Sequence, residues 1–245
     1  MGTFELLRCA KCGLIQTHPT PYPGYDNLYS LTDREQYYQS HKTLLEKYSR
    51  RDVAWVQHYH PGGSWLDIGC NVGGTLDGAK AAGFDTYGVE TSVGAQVAAV
   101  HGHKIFAGLW SQAAFVNQQF DVISIIHVLE HIHDPLPFLA LTRERLAPGG
   151  HVFICLPNYA SLMRRAKGDG WYGLGIDQHV WQYEPQSLAR LVEAAGLRVT
   201  CVFKRSMDHD DPQRPWWKQV LVSGVLVAAQ LLHWGDELCL VASKP

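Results

Sequence analysis

Three histidines, His127, His131 and His133, fall within seven residues, with Glu130 among them. Imidazole changes charge near neutral pH, so such a group can take a proton from a hydroxyl or offer lone pairs to a metal ion. The same residues would also serve simply to cap and orient their own segment. A second candidate is Leu66-Asp67-Ile68-Gly69-Cys70-Asn71-Val72-Gly73-Gly74. Glycines where a strand runs into a helix let the backbone turn sharply and approach a ligand, and the N–H groups of the helix start attract an anionic group. Glu90 follows 23 residues after Asp67, where a carboxylate can accept hydrogen bonds from both hydroxyls of a ribose. The two features together describe a nucleoside-containing ligand. A dinucleotide site asks for G-x-G-x-x-G, whose second glycine admits a pyrophosphate, and Asn71 stands at that position, which argues against NAD(P). The third candidate is Cys9-x-x-Cys12-Gly13, one knuckle of a zinc ribbon. A tetrahedral site needs four ligands, so a partner such as His18 or His41, or an upstream segment, would have to complete it.

These residues need elements to hold them. After a turn-rich, irregular lead-in, the pattern Thr32-Asp33-Arg34-Glu35 reads as a capping box opening a helix from about Thr32 to Tyr59, stopped by Pro61-Gly62-Gly63. Strands and helices then alternate: strand Ser64 to Ile68, helix Thr75 to Ala82, strand Phe84 to Val89, helix Ser92 to Val100, and a weak strand Lys104 to Phe106. Phe120 to Ile126 is so continuously apolar and β-branched that it reads as a central strand buried on both faces. A helix over Pro135 to Leu146 and a strand from His151 to Leu156 follow. Such alternation predicts a parallel sheet with right-handed crossovers. His127 then falls beyond the carboxyl end of a central strand, where ligands of open α/β sheets sit.

The last third breaks the rhythm. Asn158 to Tyr183 reads as an irregular lid or binding loop, followed by a helix Pro185 to Ala195 and a strand Leu197 to Phe203. An apolar helix from about Val220 to Leu232 and a final strand, Glu237 to Ser243, close the chain. The tight link between those two suggests that the final strand joins the sheet edge antiparallel. The expected fold is thus a Rossmann-like, doubly wound seven-stranded sheet, mostly parallel with an antiparallel last strand. Residues 1–60 form a lead-in carrying the knuckle and the long helix, and residues 61–245 form the catalytic domain with its lid at about 158–184.

The composition narrows the function classes. With 245 residues, 46% hydrophobic and 18% charged, the chain is rich enough in apolar residues for a large core. Its 21 basic and 23 acidic residues leave a net charge of -2, without the basic footprint that nucleic-acid binding requires. Six scattered cysteines do not make a disulfide framework and fit a reducing cytoplasm. Trp216-Trp217 and Trp234 bracket an apolar stretch whose run, nearer thirteen residues, is too short to cross a bilayer, leaving a peripheral lipid contact at 216–234, burial on the domain or a homodimer interface as its uses.

The Leu66–Gly74 stretch resembles the first motif of the class I S-adenosylmethionine-dependent methyltransferases, LD-I/V-G-C-G-x-G. The resemblance continues through Phe120-Asp121-Val122, Val128-Leu129-Glu130-His131-Ile132 with Asp134-Pro135, Leu146-x-Pro148-Gly149-Gly150 and Pro157-Asn158, and covers residues 64–160. Asn71 replaces a usual glycine, and asparagine tolerates left-handed backbone better than other side chains. The resemblance implies that Asp67, Gly69, Gly73 and Glu90 line the cofactor, with the Cys70 backbone near the methionine part, Asn71 in the same loop, and His127 at the strand end beside it.

A second resemblance lies in Trp171-Tyr172-Gly173-Leu174, His179, Tyr183, Ser187-Leu188 and Ala195-Gly196-Leu197. They are similar to a type 11/23-like methyltransferase subgroup with W-Y-x-L-D-x-P-R-H-L-x-x-F, found beside glycan, quinone and natural-product pathways. Asp177 and Gln178 replace its proline and arginine. This subgroup often carries an N-terminal zinc ribbon, and it implies that His179 is a substrate contact or base. Finally, His127, Glu130, His131 and His179 resemble the E-x-x-E-H plus distal H ligand set of metal-dependent O-methyltransferases acting on RNA and quinone precursors. With His127 in place of the first glutamate, the set would suit zinc, manganese or iron better than magnesium.

The expectation is therefore a methyltransferase using S-adenosylmethionine to methylate a hydroxyl of a small molecule or glycan, with His127, His131 or His179 as base or a divalent metal in their midst. The alternatives are an NAD(P)-dependent oxidoreductase and a catalytically silent binding module of the same fold.

Overall fold

The computed structural model describes residues 4–21, 30–206 and 234–245. The lead-in is a hairpin, β1 (Glu5–Arg8) and β2 (Ile15–His18), turned at Gly13 with φ +78°. The long helix α1 (Leu31–Gln57) does begin with a capping box, but Ser30 and Asp33 form it. The Asp33 amide donates to Ser30 Oγ at 3.2 Å and the Ser30 amide donates to Asp33 at 2.8 Å, so this earlier pair satisfies the helix start before Thr32 and Glu35 can.

Then come β3 (Ser64–Ile68), α2 (Gly74–Ala81), β4 (Asp85–Glu90), α3 (Gly94–Val100), β5 (Lys104–Ala107), β6 (Phe120–Ile126), α4 (Pro135–Arg145) and β7 (Leu146–Pro157). The stretch expected to be a single irregular loop holds α5 (Leu162–Lys167), two 3₁₀ turns and the two-residue strand β8 (Trp181–Gln182). The chain continues with α6 (Pro185–Ala194), β9 (Arg198–Arg205) and β10 (Glu237–Ser243). The apolar segment read as a helix from Val220 to Leu232 lies outside the described residues, among which no helix is long and apolar enough to cross a membrane.

Seven strands pair in the order β5-β4-β3-β6-β7-β10-β9, and only β10 runs antiparallel to its neighbours. The last strand was expected at the sheet edge; it inserts between β7 and β9 instead. Burial explains the difference, because every residue of β10 is buried whereas β9 alternates with solvent and can take the edge.

Pleating sends alternate residues to two cores. Leu66, Ile123, Ile125, Val152, Ile154, Leu238 and Leu240 meet Leu139, Leu188 and Val192 of α4 and α6. Trp65, Val122, Phe153, Cys155 and Val241 meet Val53, Leu76 and Ala98 of α1, α2 and α3. Each such fully buried aliphatic side chain contributes roughly 1.5–3 kcal/mol.

β1, β2 and β8 form a separate three-stranded sheet, with Ile15 opposite Gln182 and Gln16 opposite Trp181. A two-ended contact between the Arg8 guanidinium and Glu184, at 2.8 and 2.9 Å, ties it to the start of α6. The hairpin thus braces the lid that leads to His179.

Candidate active site

The loop after β3 takes left-handed backbone at Gly69 (φ +76°), Asn71 (φ +48°) and Gly73 (φ +89°). A Cβ on Gly69 would lie 2.4 Å from Val128 Cγ2, so that turn requires glycine twice over. Glu90 braces the loop: one carboxylate oxygen accepts from the Asn71 amide at 2.8 Å, the other from the Ser92 amide at 2.7 Å. A cleft of about 550 Å³ opens at this carboxyl edge of the sheet, between Gly69, Asn71 and Glu90 on one side and Leu109 and Trp110 on another. His127, His131 and Gln178 line the far end, and Arg34 of α1 reaches it.

Gly69, Asn71, Glu90 and His127 therefore face the cleft, whereas Asp67, Cys70 and Gly73 stand behind its wall. The Cys70 side chain packs toward Gly88, where an added Cβ would lie 2.6 Å from its sulfur, and Gly73 backs onto Ala98 and His103. Asp67 is buried and accepts a 2.6 Å hydrogen bond from Ser124 Oγ. Burial pushes its carboxyl up to about 7, against the hydrogen bonds from Ser124 and Thr75. A carboxyl raised in the folded state is favoured there only while protonated, so its contribution falls as pH climbs from about 4 to about 7. Asp67→Asn is accordingly expected to be more stable than wild type by about 2 kcal/mol at pH 8 and to lose that advantage at pH 4. Urea unfolding at the two pH values checks this, and an Asn variant less stable at pH 8 would show that the charge itself is needed.

The donor cluster follows β6. His127 holds φ +53°, an uncommon conformation for a side-chain-bearing residue, and its amide donates to the Cys155 carbonyl at 2.8 Å. Glu130 is buried, and neither of its carboxylate oxygens has a hydrogen-bond partner. His131 Nδ1 donates to the Gln178 carbonyl at 3.1 Å and His179 Nδ1 to the Gly173 carbonyl at 3.1 Å, which puts the lone pair of each ring on Nε2. The two rings meet edge to face at 4.7 Å, and donor atoms of Glu130, His131 and His179 lie within 4.8 Å of one another. Gly175, at φ +45°, makes room for the approach, since a Cβ there would lie 2.7 Å from the His179 ring. The Val180 amide donates to the Glu130 carbonyl at 2.8 Å and the Thr17 amide to the Val180 carbonyl at 2.9 Å, joining the cluster to the lid and the lid to the hairpin. His133 is exposed and outside the cluster.

His127 and His179 differ electrostatically. His127 Nδ1 lies 3.4 Å from Glu130, and its Nε2 lies 3.2 Å from Glu237 of β10. Burial disfavours a charge on this ring, but the two carboxylates outweigh it and hold His127 well above the usual histidine range. Burial of Glu130 is likewise outweighed by His127, which lowers its pKa. His179 moves the other way, lowered by burial, and is neutral at pH 7. A neutral ring with its lone pair on Nε2 can accept a proton or bind a cation, whereas a ring between two carboxylates is already protonated.

Glu237, Arg205 and Asp52 complete the surroundings of His127, and none carried a sequence signal of its own. By contrast, no group of three metal-binding donors among the described residues includes Cys9 or Cys12. His41 stacks on Tyr37 instead of joining that knuckle.

A sheet of this order, with its antiparallel strand inserted next to last and a glycine-lined cleft closed by a strand-end glutamate, defines a class I S-adenosylmethionine-dependent methyltransferase fold. Residues 33–202 match the family described as "Methyltransferase domain", and the chain belongs to that family of S-adenosylmethionine-dependent transferases. The ubiquinone biosynthesis O-methyltransferase of Idiomarina loihiensis is 29% identical over 152 residues, spanning 54% of this chain and 60% of that protein. The protein of the same name from Thiobacillus denitrificans is 30% identical over 168 residues, spanning 60% of this chain and 70% of the relative. The chain thus spans about six-tenths of the length of the curated relatives it matches first. Among solved structures, a SAM-dependent methyltransferase from Archaeoglobus fulgidus superposes with a TM-score of 0.60 at 17% identity, covering 85% of this chain and 99% of that one. Magnesium protoporphyrin IX methyltransferase from Synechocystis with bound SAM gives 0.53 at 13% identity, covering 82% and 79%. Both likenesses are of fold.

Proposed function

We propose that this methyltransferase acts on oxygen, methylating a phenolic or related hydroxyl of a small molecule at a centre made by Glu130, His131 and His179. The observation that carries the reading is the buried Glu130 carboxylate, paired with His127 at 3.4 Å but without a hydrogen bond at either oxygen, with donor atoms of His131 and His179 within 4.8 Å and the Nδ1 atoms of both those rings spent on carbonyls. A buried carboxylate is costly unless its oxygens are hydrogen-bonded as well as paired, so an ion pair with His127 alone leaves the arrangement suited to a further donor or a cation. The name of the relatives, which denotes O-methylation in ubiquinone biosynthesis, supports oxygen as the acceptor atom. A glycan hydroxyl is the alternative acceptor.

S-adenosylmethionine supplies a methyl group on a sulfonium, a leaving group that needs no protonation. Gly69, Asn71 and Glu90 would hold its nucleoside part in the cleft. What this chain adds is alignment, exclusion of water and a destination for the acceptor's proton. His179, neutral and turned with Nε2 away from Gly173, takes that proton as the acceptor oxygen bonds to the methyl carbon. Glu130 then stabilises the imidazolium that forms. The same three donors fit a divalent cation, with two nitrogens favouring zinc, manganese or iron over magnesium, and such an ion would supply Lewis acidity to the acceptor hydroxyl.

Calorimetry with S-adenosylhomocysteine is expected to give saturable one-site binding, and metal analysis of the same purified sample separates the two forms of the centre, with zinc, manganese or iron at about one per chain where a cation takes the His179 lone pair and none where His179 is the base. A protein that does not bind S-adenosylhomocysteine would overturn the reading of this cleft.

A further inference from the structure

Because β10 runs antiparallel, its first residue arrives at the edge where the parallel strands end. Glu237 sits opposite Pro157 of β7 and Arg205 of β9, next to the carboxyl end of β6 and hence next to His127. Its carboxylate is divided between partners. Oε1 accepts from His127 Nε2 at 3.2 Å, while Oε2 accepts from Arg205 Nε at 2.6 Å and from Arg51 at 3.4 Å. Arg205 is clamped from the other side by Asp52 of α1, at 2.5 Å. Asp52, Arg205 and Glu237 are all buried.

We propose that Glu237, held by Arg205 and Asp52, is a positioning residue that fixes the orientation of the His127 ring toward Glu130 and thereby sets the donor geometry of the centre. The proposal rests on the reading of that centre given above. An imidazole ring turns freely about its last bond unless one nitrogen is anchored. Anchoring Nε2–H on a carboxylate leaves Nδ1–H aimed at Glu130, so that the carboxylate of the donor group is itself held from outside, as the carboxylates of metal centres are. The guanidinium fork permits one orientation of Glu237, since Arg205 offers only donors. A chain of buried charges could instead be purely structural, and the two roles differ in what glutamine does at 237. The glutamine oxygen must face Arg205, so its NH₂ group faces His127 Nε2. That nitrogen loses its acceptor and gives up its proton, so the ring keeps only the N–H at Nδ1, on the Glu130 side.

The test is a cobalt(II) titration of the full chain, followed by visible absorption, in wild type and Glu237→Gln. S-adenosylhomocysteine calorimetry on both proteins is the control for folding. Positioning predicts that Glu237→Gln binds cobalt(II) about 10–100-fold more weakly, with altered band positions, at unchanged S-adenosylhomocysteine affinity. Equal cobalt(II) affinity and bands in the two proteins would overturn it. If wild type takes up no cobalt(II), the metal reading of the centre fails, and proton NMR of the metal-free protein decides the positioning role. A downfield hydrogen-bonded Nε2–H of His127, assigned by ¹⁵N labelling, present in wild type and absent in Glu237→Gln, supports it, and the same Nε2–H resonance in both proteins overturns it. If Glu237→Gln does not fold, Asp52→Asn releases Arg205 instead. It is expected to weaken cobalt(II) several-fold, or to broaden the ring resonance, and an effect on neither would count against the clamp.

Discussion

Replacing Glu130 by glutamine is expected to slow methyl transfer by about a thousandfold, roughly 4 kcal/mol of barrier, while S-adenosylhomocysteine binds within about threefold of wild type. The substitution keeps the volume and removes only the charge. Its amide would donate toward His131 and His179, whose lone pairs are on the same side, and would leave His127 facing Glu237 alone. The loss belongs in kcat, because Glu130 lies behind the cleft wall and does not touch the nucleoside pocket of Gly69, Asn71 and Glu90. Activity retained within tenfold would mean that the buried carboxylate serves the fold and not the reaction.

Gly69→Ala should be nearly as damaging by a different route. Its φ of +76° costs an L side chain about 1–2 kcal/mol, and the new Cβ would lie 2.4 Å from Val128 Cγ2, well inside contact distance. Val128 lies between His127 and the 3₁₀ turn Leu129–His131, so relief of the clash moves either the cofactor loop or the donor segment. Binding of S-adenosylhomocysteine is expected to weaken by more than about 100-fold and the melting temperature to fall. Gly83→Ala is the matched control, with φ +93° but nothing within 4 Å of the added carbon. It should lose about 1 kcal/mol and bind the cofactor product normally. Equal behaviour of the two variants in calorimetry would show that the Val128 contact does not matter.

The parts that local pattern controls were legible in the sequence. β3 and β6 have the bounds their apolar runs suggested, and Asn71 takes the left-handed backbone that its residue type tolerates. The convergence of His131 and His179 was legible only as a resemblance, because the link between them runs through hydrogen bonds such as His131 Nδ1 to Gln178, 47 residues apart. The place of β10 was not legible, since a continuous apolar run says that both faces are covered and not which strands flank it. For the same reason Glu237, 110 residues from His127, and Asp52, 153 residues from Arg205, gave no sign of belonging to the site. β8 is only two residues long and is recognisable as a strand only once β2 lies beside it. Asp67 was read as a cofactor residue from its motif, but its side chain turns into the protein while the loop backbone and Glu90 make the wall, and Cys70, expected there through its backbone alone, likewise buries its side chain.

The most direct measurement is transfer of a labelled methyl group from S-adenosylmethionine to a panel of phenols, catechols, methyl glycosides and amines, with the labelled product identified by NMR, in wild type and Glu130→Gln. The account predicts an O-methyl product from a phenol or catechol with wild type and about a thousandfold less with the variant. A methyl group delivered to nitrogen or carbon, or O-methylation that Glu130→Gln supports equally well, would contradict it.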